Sequence, residues 1–298
     1  MAESSVFYDI IIFGNYTKDT IVSAGGTRFV DGGGFNYGAH AAAALGLKVA
    51  AVTRLAREDF HVVRQLERQG IDVFPRTTPT STHMRLEYPT DNVDERILTC
   101  TKSAGPYSLD QFEGLKAKAI LINASIREEV PPEVVEGLRK WDCLLVADAQ
   151  GFVRITAPDH RLIYGNWPEK ERVLSRLDVL KADAVEAEFL TGKSDIRKAA
   201  KRLADWGPRE IVLTHREGIL VYAEDQYHEA AFHVKKLVGR SGRGDTCIAS
   251  YMAKRLTEPP EEAILWSAAL TSLKMEAEGP YRGNISDVQR LMEQMYRS

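Results

Sequence analysis

The sequence predicts an α/β fold, a three-layer α/β/α body with a mostly parallel central sheet and a small β-lid. Three observations predict it. Short apolar runs alternate with helix-patterned segments along most of the chain. The stretch 80–102 instead alternates apolar and polar residues, as a sheet with one wet face does. Two glycine-rich turns, near residues 32–34 and 239–244, each open directly into a helix.

Each element follows in order. Residues 8–14 (YDIIIFG) are a buried strand feeding a turn, and 16–31 are short strands around Ala24, Gly25 and Gly26. Residues 35–46 are an alanine-rich helix stopped by Gly46, and 48–53 (KVAAVT) return to strand. THMRLEY (82–88) and ERILTCT (95–101) pair across the turn-rich PTDNVD (89–94). AILIN (119–123) and LLVAD (144–148) are buried strands flanking a helix that opens at Pro131 and Pro132. DVLKAD (178–183) and EIVLT (210–214) flank a helix at 195–206, in which Ile196, Ala199, Ala200, Leu203 and Trp206 share a face. ILVYA and EAAFHV form a meander. The last 55 residues read as mostly helical, with Val288, Leu291, Met292 and Met295 on one stripe. One domain spanning 1–298 is expected, with lid segments at about 15–35 and 75–105. Ligands of such folds sit beyond the carboxyl ends of the strands.

Composition excludes several classes of function. The chain has 298 residues, 44% hydrophobic and 27% charged, enough for a sizeable core. Its net charge of −3 argues against nucleic acid held by bulk electrostatics. The longest nearly apolar stretch, Ala39 to Val52, contains His40 and Lys48 and is too short and polar to span a bilayer. The amino terminus shows no signal-peptide pattern, so a cytoplasmic protein without membrane partners is expected. Three scattered cysteines and seven histidines form neither a CxxC pair nor HExxH, so no structural metal is expected.

The strongest chemical signal is GRSGRGD at 239–245, followed by a helix. Glycines leave backbone N–H groups unshielded, and a helix N-terminus favours an anion at that spot. Asp245 adds a carboxylate beside it, the pairing that phosphoryl transfer needs. Alone, the segment reads equally well as an ordinary capped helix start. The second signal is DGGGFNYGA at 31–39. Gly32 and Gly34 fit the start of GxGxxG, but Tyr37 occupies the third glycine's place, which weakens a dinucleotide reading.

Together the two segments resemble the ribokinase-like (PfkB) sugar and nucleoside kinases. GGGFNYGAHAAAALG (32–46) resembles that family's GG-x-x-x-N-x-A-x5-LG signature, and GRSGRGD (239–245) resembles the end of DTxGAGD. LKADAVEAEFLTG (180–192) resembles its NxxE segment, IVLTHREGILVY (211–222) its TLGxxG strand pair, DIIIFGNYTKD (9–19) its first strand and acid, and DAQGFVR (148–154) its D-x-N-x-x-x-R stretch.

The resemblance implies a ribokinase-like fold and an ATP-dependent kinase acting on a small polyhydroxylated substrate, with Mg2+ beside the phosphates. It implies Asp245 as the catalytic base, with the amides of Gly242, Arg243 and Gly244 as the anion hole. It implies Asp19, Gly33, Gly34, Asn36 and Tyr37 around the acceptor. It implies Asp183, Glu186, Thr214 and Gly218 on the nucleotide and phosphate side, with Glu186 reaching the metal through water. It also implies a homodimer through the lid, because the family's lids often pair.

This chain departs from the family pattern. Tyr37 stands where the signature has asparagine, and Asn36 is one residue early; with DAQGFVR this is closer to an inositol-kinase-like branch than to ribokinase proper. Asp183 replaces the asparagine of NxxE. Gly239 and Arg240 replace an Asp-Thr pair that commonly helps build a monovalent-cation site, so potassium activation does not follow from the resemblance and the cation requirement stays open. Arg243 replaces an alanine, adding a cation to the phosphate cluster or facing solvent; Arg54, Arg85 and Arg96 stand near the lid as further cations for a charged acceptor. A nucleoside kinase would need a flat slot, for which Phe35, Tyr37, Tyr88 and Phe152 are the candidates. A catalytically weak nucleotide or sugar sensor is the reading from another class.

Overall fold

The computed structural model describes residues 6–90 and 96–297; residues 1–5 and most of the turn at 89–94 lie outside them. In chain order the elements are β1 (Phe7–Phe13), β2 (Thr17–Ser23), β3 (Gly26–Gly32), α1 (Gly34–Ala44), β4 (Val49–Leu55), α2 (His61–Glu67) and β5 (Asp72–Thr77). Next come β6 (Thr82–Glu87), β7 (Ile97–Lys102), β8 (Lys116–Ile122), α3 (Pro132–Leu138), β9 (Leu144–Asp148), α4 (Gln150–Val153), β10 (Arg154–Thr156) and β11 (Leu162–Tyr164). The chain continues with α5 (Lys170–Leu174), β12 (Val179–Asp183), α6 (Ala184–Thr191), α7 (Ile196–Ala204), β13 (Glu210–Thr214), β14 (Gly218–Ala223) and β15 (Gln226–Ala231). It ends with α8 (Arg243–Arg255), α9 (Pro260–Met275) and α10 (Ile285–Met295).

The large sheet has the order β15-β14-β13-β12-β9-β8-β1-β4-β5. It is parallel from β5 to β13 and antiparallel over β14 and β15. Strand β1 shows why its run is apolar on both faces. Ile10 and Ile12 enter a core shared with α1, α8, α9 and α10, while Ile11 and Phe13 enter a second core with α3, α5 and α7. Both faces are therefore covered, the condition under which a parallel sheet is stable. The alanines of α1 keep that helix thin, so it lies close against α8.

A second sheet, β3-β2-β6-β7, is the lid. Ile21, Met84, Leu86 and Cys100 form its small apolar cluster with Ile126 of the body. The lid boundaries differ from expectation in two places. Residues 75–77 belong to β5 and pair with β4 in the large sheet, so the second lid segment begins at β6. The hairpin β10–β11 also reaches the lid: Thr99 bridges Arg161, and the Cys100 N–H donates to the His160 carbonyl at 2.8 Å. The apolar stripe of α10 buries Val288, Leu291 and Met292, but Met295 is exposed because the helix ends there. Among the described residues no helix is long and apolar enough to cross a membrane.

Candidate active site

The parallel strands end on one side of the sheet, and the loops beyond them converge there. Two helix N-termini meet at this edge. Gly33 (φ 98°) precedes α1 and Gly242 (φ 77°) precedes α8, both in conformations that side chains with a Cβ rarely adopt. A Cβ on Gly242 would lie 2.1 Å from the Tyr37 ring, and one on Gly34 would lie 2.8 Å from Asp245 Oδ1. The two glycine-rich turns, some 200 residues apart, are therefore pressed against each other.

Asp245 sits in the first turn of α8, where Gln150 Nε2 donates to its Oδ1 at 3.2 Å. Burial raises its carboxyl above the usual range, against the pull of Lys181, Arg154 and Lys274. Lys181 lies beneath the turn, its Nζ 2.9 Å from Asp148 Oδ2 and 2.5 Å from where a Cβ on Gly244 would be. Burial disfavours the Lys181 charge, but the Asp148 carboxylate holds it protonated.

Asp245, Asp19, Gly33, Gly34 and Tyr37 border a cavity of about 100 Å3, roofed by Met84, Leu86 and Leu98 of the lid. Asp19 projects from β2 and is 7% exposed, with Oδ1 lacking any partner. Burial pushes its carboxyl up to about 7, opposed by the Thr17 hydrogen bond and aided by Asp245. The Tyr37 hydroxyl is likewise buried without a partner. Unpaired buried polar atoms are costly, and these two belong to residues that border the one small cavity.

A larger cleft of about 690 Å3 adjoins this cavity and shares Arg96 and Arg154 with it. Arg216, Arg240, Arg243 and His215 also line it. Such a cluster suits an anion of several charges. Asp183 and Thr214 border this cleft.

The expected site residues divide. Asp19, Gly33, Gly34, Tyr37, Gly242 and Asp245 come together around the cavity, and Arg243 faces the cleft rather than bulk solvent. Asn36 does not join them: its Nδ2 donates to the Asp31 carbonyl at 3.1 Å, one helical position away from the cavity face. Gly218 lies outside both spaces; a Cβ there would be 2.3 Å from the Ala230 carbonyl of β15, so hairpin packing explains this glycine. The Arg243 N–H turns back to the Arg240 carbonyl at 3.2 Å, leaving the Gly242 and Gly244 amides of the three expected anion donors. Glu186 is fully buried and closed, its Oε1 on Arg154 (3.0 Å) and its Oε2 on the Asp183 N–H (2.9 Å). Of the lid-side arginines, Arg96 reaches the site, Arg54 is tied to Gln111 and the Ala104 carbonyl, and Arg85 pairs with Glu87 on the surface. Sequence reasoning assigned no role to Gln150, Lys181 or Asp148, although DAQGFVR contains two of them.

Comparisons with known proteins bear on this geometry. The family model described as pfkB family carbohydrate kinase matches residues 5–286. A cytidine kinase of Thermococcus kodakarensis is 28% identical over 261 residues, 82% of this chain and 87% of that protein. A solved pyrophosphate-dependent kinase in the ribokinase family, complexed with a pyrophosphate analog and myo-inositol, is 32% identical. Its TM-score is 0.87, over 94% of this chain and 99% of that one. The ribokinase of Arabidopsis thaliana complexed with ribose and ATP is 17% identical with a TM-score of 0.77, over 97% and 99% of the two chains, and shares the fold.

Proposed function

The chain belongs to the PfkB family of carbohydrate kinases, and on that premise we propose that it moves a phosphoryl group to a hydroxyl of a small sugar or cyclitol such as myo-inositol. One observation carries the reading. Two buried-side carboxylates, Asp19 with a free oxygen and Asp245 at a helix N-terminus, border a single small cavity next to an arginine-lined cleft. Asp19 accepts hydrogen bonds from acceptor hydroxyls and so selects the one that faces Asp245. Asp245 takes that hydroxyl's proton as its oxygen bonds to phosphorus and the donor's bridging P–O bond breaks, releasing inorganic phosphate from pyrophosphate or ADP from ATP, while Gln150 fixes the carboxylate's orientation. The Gly242 and Gly244 amides, the α8 dipole and Lys181 hold the charge of the transferring group. Closure of the lid keeps water from competing as acceptor.

ATP is the donor that the family resemblance implies. The arginine cluster favours inorganic pyrophosphate instead, because five guanidinium groups line the cleft where the donor's charge must sit. The pyrophosphate-dependent relative at 32% identity supports the same choice. Mg2+ is implied with either donor and would neutralise phosphate charge when bound. The residues fit an ion held chiefly by phosphate and water. Asp183 borders the cleft, its Oδ1 capping α6 through the Glu186 N–H (2.8 Å), while Glu186 has both oxygens engaged within the protein. The expected homodimer finds support in edge strand β3, where Phe29 is 76% exposed.

The test is product formation from pyrophosphate or ATP, each with Mg2+, across a panel of cyclitols, sugars and nucleosides. We expect a cyclitol or sugar product with pyrophosphate, and loss of turnover by about 10²-fold or more in Asp245→Asn. Turnover unaffected by that substitution would sink the assignment of the base. The cytidine kinase relative favours a second reading, a nucleoside acceptor. Against it, Phe35 and Phe152 lie in the cores and Tyr88 lies near the lid tip, so of the four aromatic candidates only Tyr37 borders the cavity. Binding of a substrate without any turnover would instead support the sensor.

A further inference from the structure

Lys274 is a buried lysine that the reaction described above does not use. It lies in the last turn of α9 and is 1% exposed. Its Nζ donates to the Gly239 carbonyl at 2.8 Å and to the Ser241 carbonyl. These carbonyls belong to the strand of chain leading into Gly242. The same stretch is tied back to α9, because the Val238 and Gly239 N–H groups both donate to the Met275 carbonyl, at 2.9 and 3.1 Å. A Cβ on Gly239 would lie 2.2 Å from the Ala277 carbonyl, so the two backbones are in direct contact. The ammonium also stands 5.2 Å from the centre of the Tyr37 ring, the ring against which Gly242 packs.

Carbonyl oxygens that converge in a buried place repel one another unless a cation lies between them. Here the cation is covalently part of the chain. We propose that Lys274 is a positioning residue that serves as a built-in monovalent cation: its ammonium holds the Gly239 and Ser241 carbonyls together and so aims the Gly242–Asp245 turn, making added potassium or ammonium unnecessary. This rests on the phosphotransferase reading for its kinetic consequences. Burial disfavours the charge and brings the group down to about 8, against the pull of Glu278 and Asp245. The charge is therefore kept at a cost, as expected of a group retained for what its charge does.

The test removes the tethered cation and offers a free one. Potassium and ammonium are similar in size to the lysine head group, and carbonyl oxygens can replace the hydration shell of such ions. Wild-type rates should be equal, within about 2-fold, in chloride salts of potassium, ammonium, sodium and tetramethylammonium, because the Lys274 ammonium already fills the place between the Gly239 and Ser241 carbonyls. Lys274→Met should lower kcat by about 10²-fold with little change in acceptor KM, since the lesion lies in the turn that holds the transferring group. Potassium or ammonium at about 100 mM should restore the variant about 10-fold or more, and tetramethylammonium should not. Melting gives a readout independent of turnover: potassium or ammonium should raise the variant's Tm over that in tetramethylammonium, and leave the wild type unmoved. If Lys274→Met does not fold, Lys274→Gln, which keeps one donor, takes its place.

Two results overturn the proposal. One is a wild type that needs potassium or ammonium; the other is a folded variant that no cation rescues in rate or in Tm. If the wild type turns over no substrate at all, the phosphotransferase reading fails, while the melting comparison still decides for or against Lys274.

Discussion

Replacing Asp19 with asparagine separates the two consequences of holding a carboxylate beside the small cavity, one for stability and one for binding of the proposed acceptor. Burial moves this group from 3.8 to about 7. Between those values the folded protein keeps a proton that the unfolded chain has lost, so stability falls as pH rises through that window. A shift of about three pK units corresponds to about 4 kcal/mol, of which about 3 kcal/mol lies between pH 5 and pH 8. Asp19→Asn removes this titration while keeping the side chain's shape. Whatever constant effect the amide has, the variant's stability relative to wild type should improve by about 3 kcal/mol from pH 5 to pH 8. For a chain of this length that is about 4 °C in Tm. Denaturant titration or thermal melting of the ligand-free protein at the two pH values measures it. The same variant should raise the acceptor KM by about 10²-fold, because one oxygen that accepts hydroxyl hydrogen bonds becomes a donor. Parallel pH profiles for wild type and variant would refute the argument, since Asp19 would then titrate like a solvated carboxylate.

Two further outcomes follow from the site. Gly242→Ala should cost about 2–4 kcal/mol in urea unfolding and abolish turnover, because φ is 77° and the new methyl would meet the Tyr37 ring at 2.1 Å; a variant as stable as wild type would show that the turn is not held as described. Arg243→Leu should raise the donor KM about 10- to 100-fold and leave the acceptor KM nearly unchanged, since the guanidinium faces the cleft proposed for the donor. Steady-state kinetics with each substrate varied in turn would read this, and an effect confined to the acceptor would contradict it.

Much of the architecture was legible in the sequence, because its causes are local. The doubly buried run of β1, the alternation of β6 and β7, the alanines of α1 and the glycines before two helices each follow from patterning and backbone sterics within a few residues. That Asp19 and Asp245 border one cavity was accessible through the family resemblance, because no local pattern brings residues so far apart in sequence together.

The rest depended on tertiary contacts. Which of Asn36 and Tyr37 borders the small cavity is a matter of one helical step, about 100° of rotation, and the cap at Gly33 sets it. Gly218 stands on the nucleotide side in the family resemblance, and the structure adds that a Cβ there would meet the carbonyl of Ala230 on the next strand. The family resemblance implies that Glu186 reaches a metal through water; its burial against Arg154, 32 residues away, is a tertiary fact that no local pattern contains. Lys181 and Lys274 look like ordinary lysines in strand and helix. Only packing buries them and supplies the Asp148 carboxylate and the carbonyls of Gly239 and Ser241 that make each charge tolerable. Local propensity chooses elements, because backbone sterics and periodic burial act over short separations. The protonation, partners and orientation of buried polar groups are decided by whatever the fold brings next to them, and that is set only when distant segments meet.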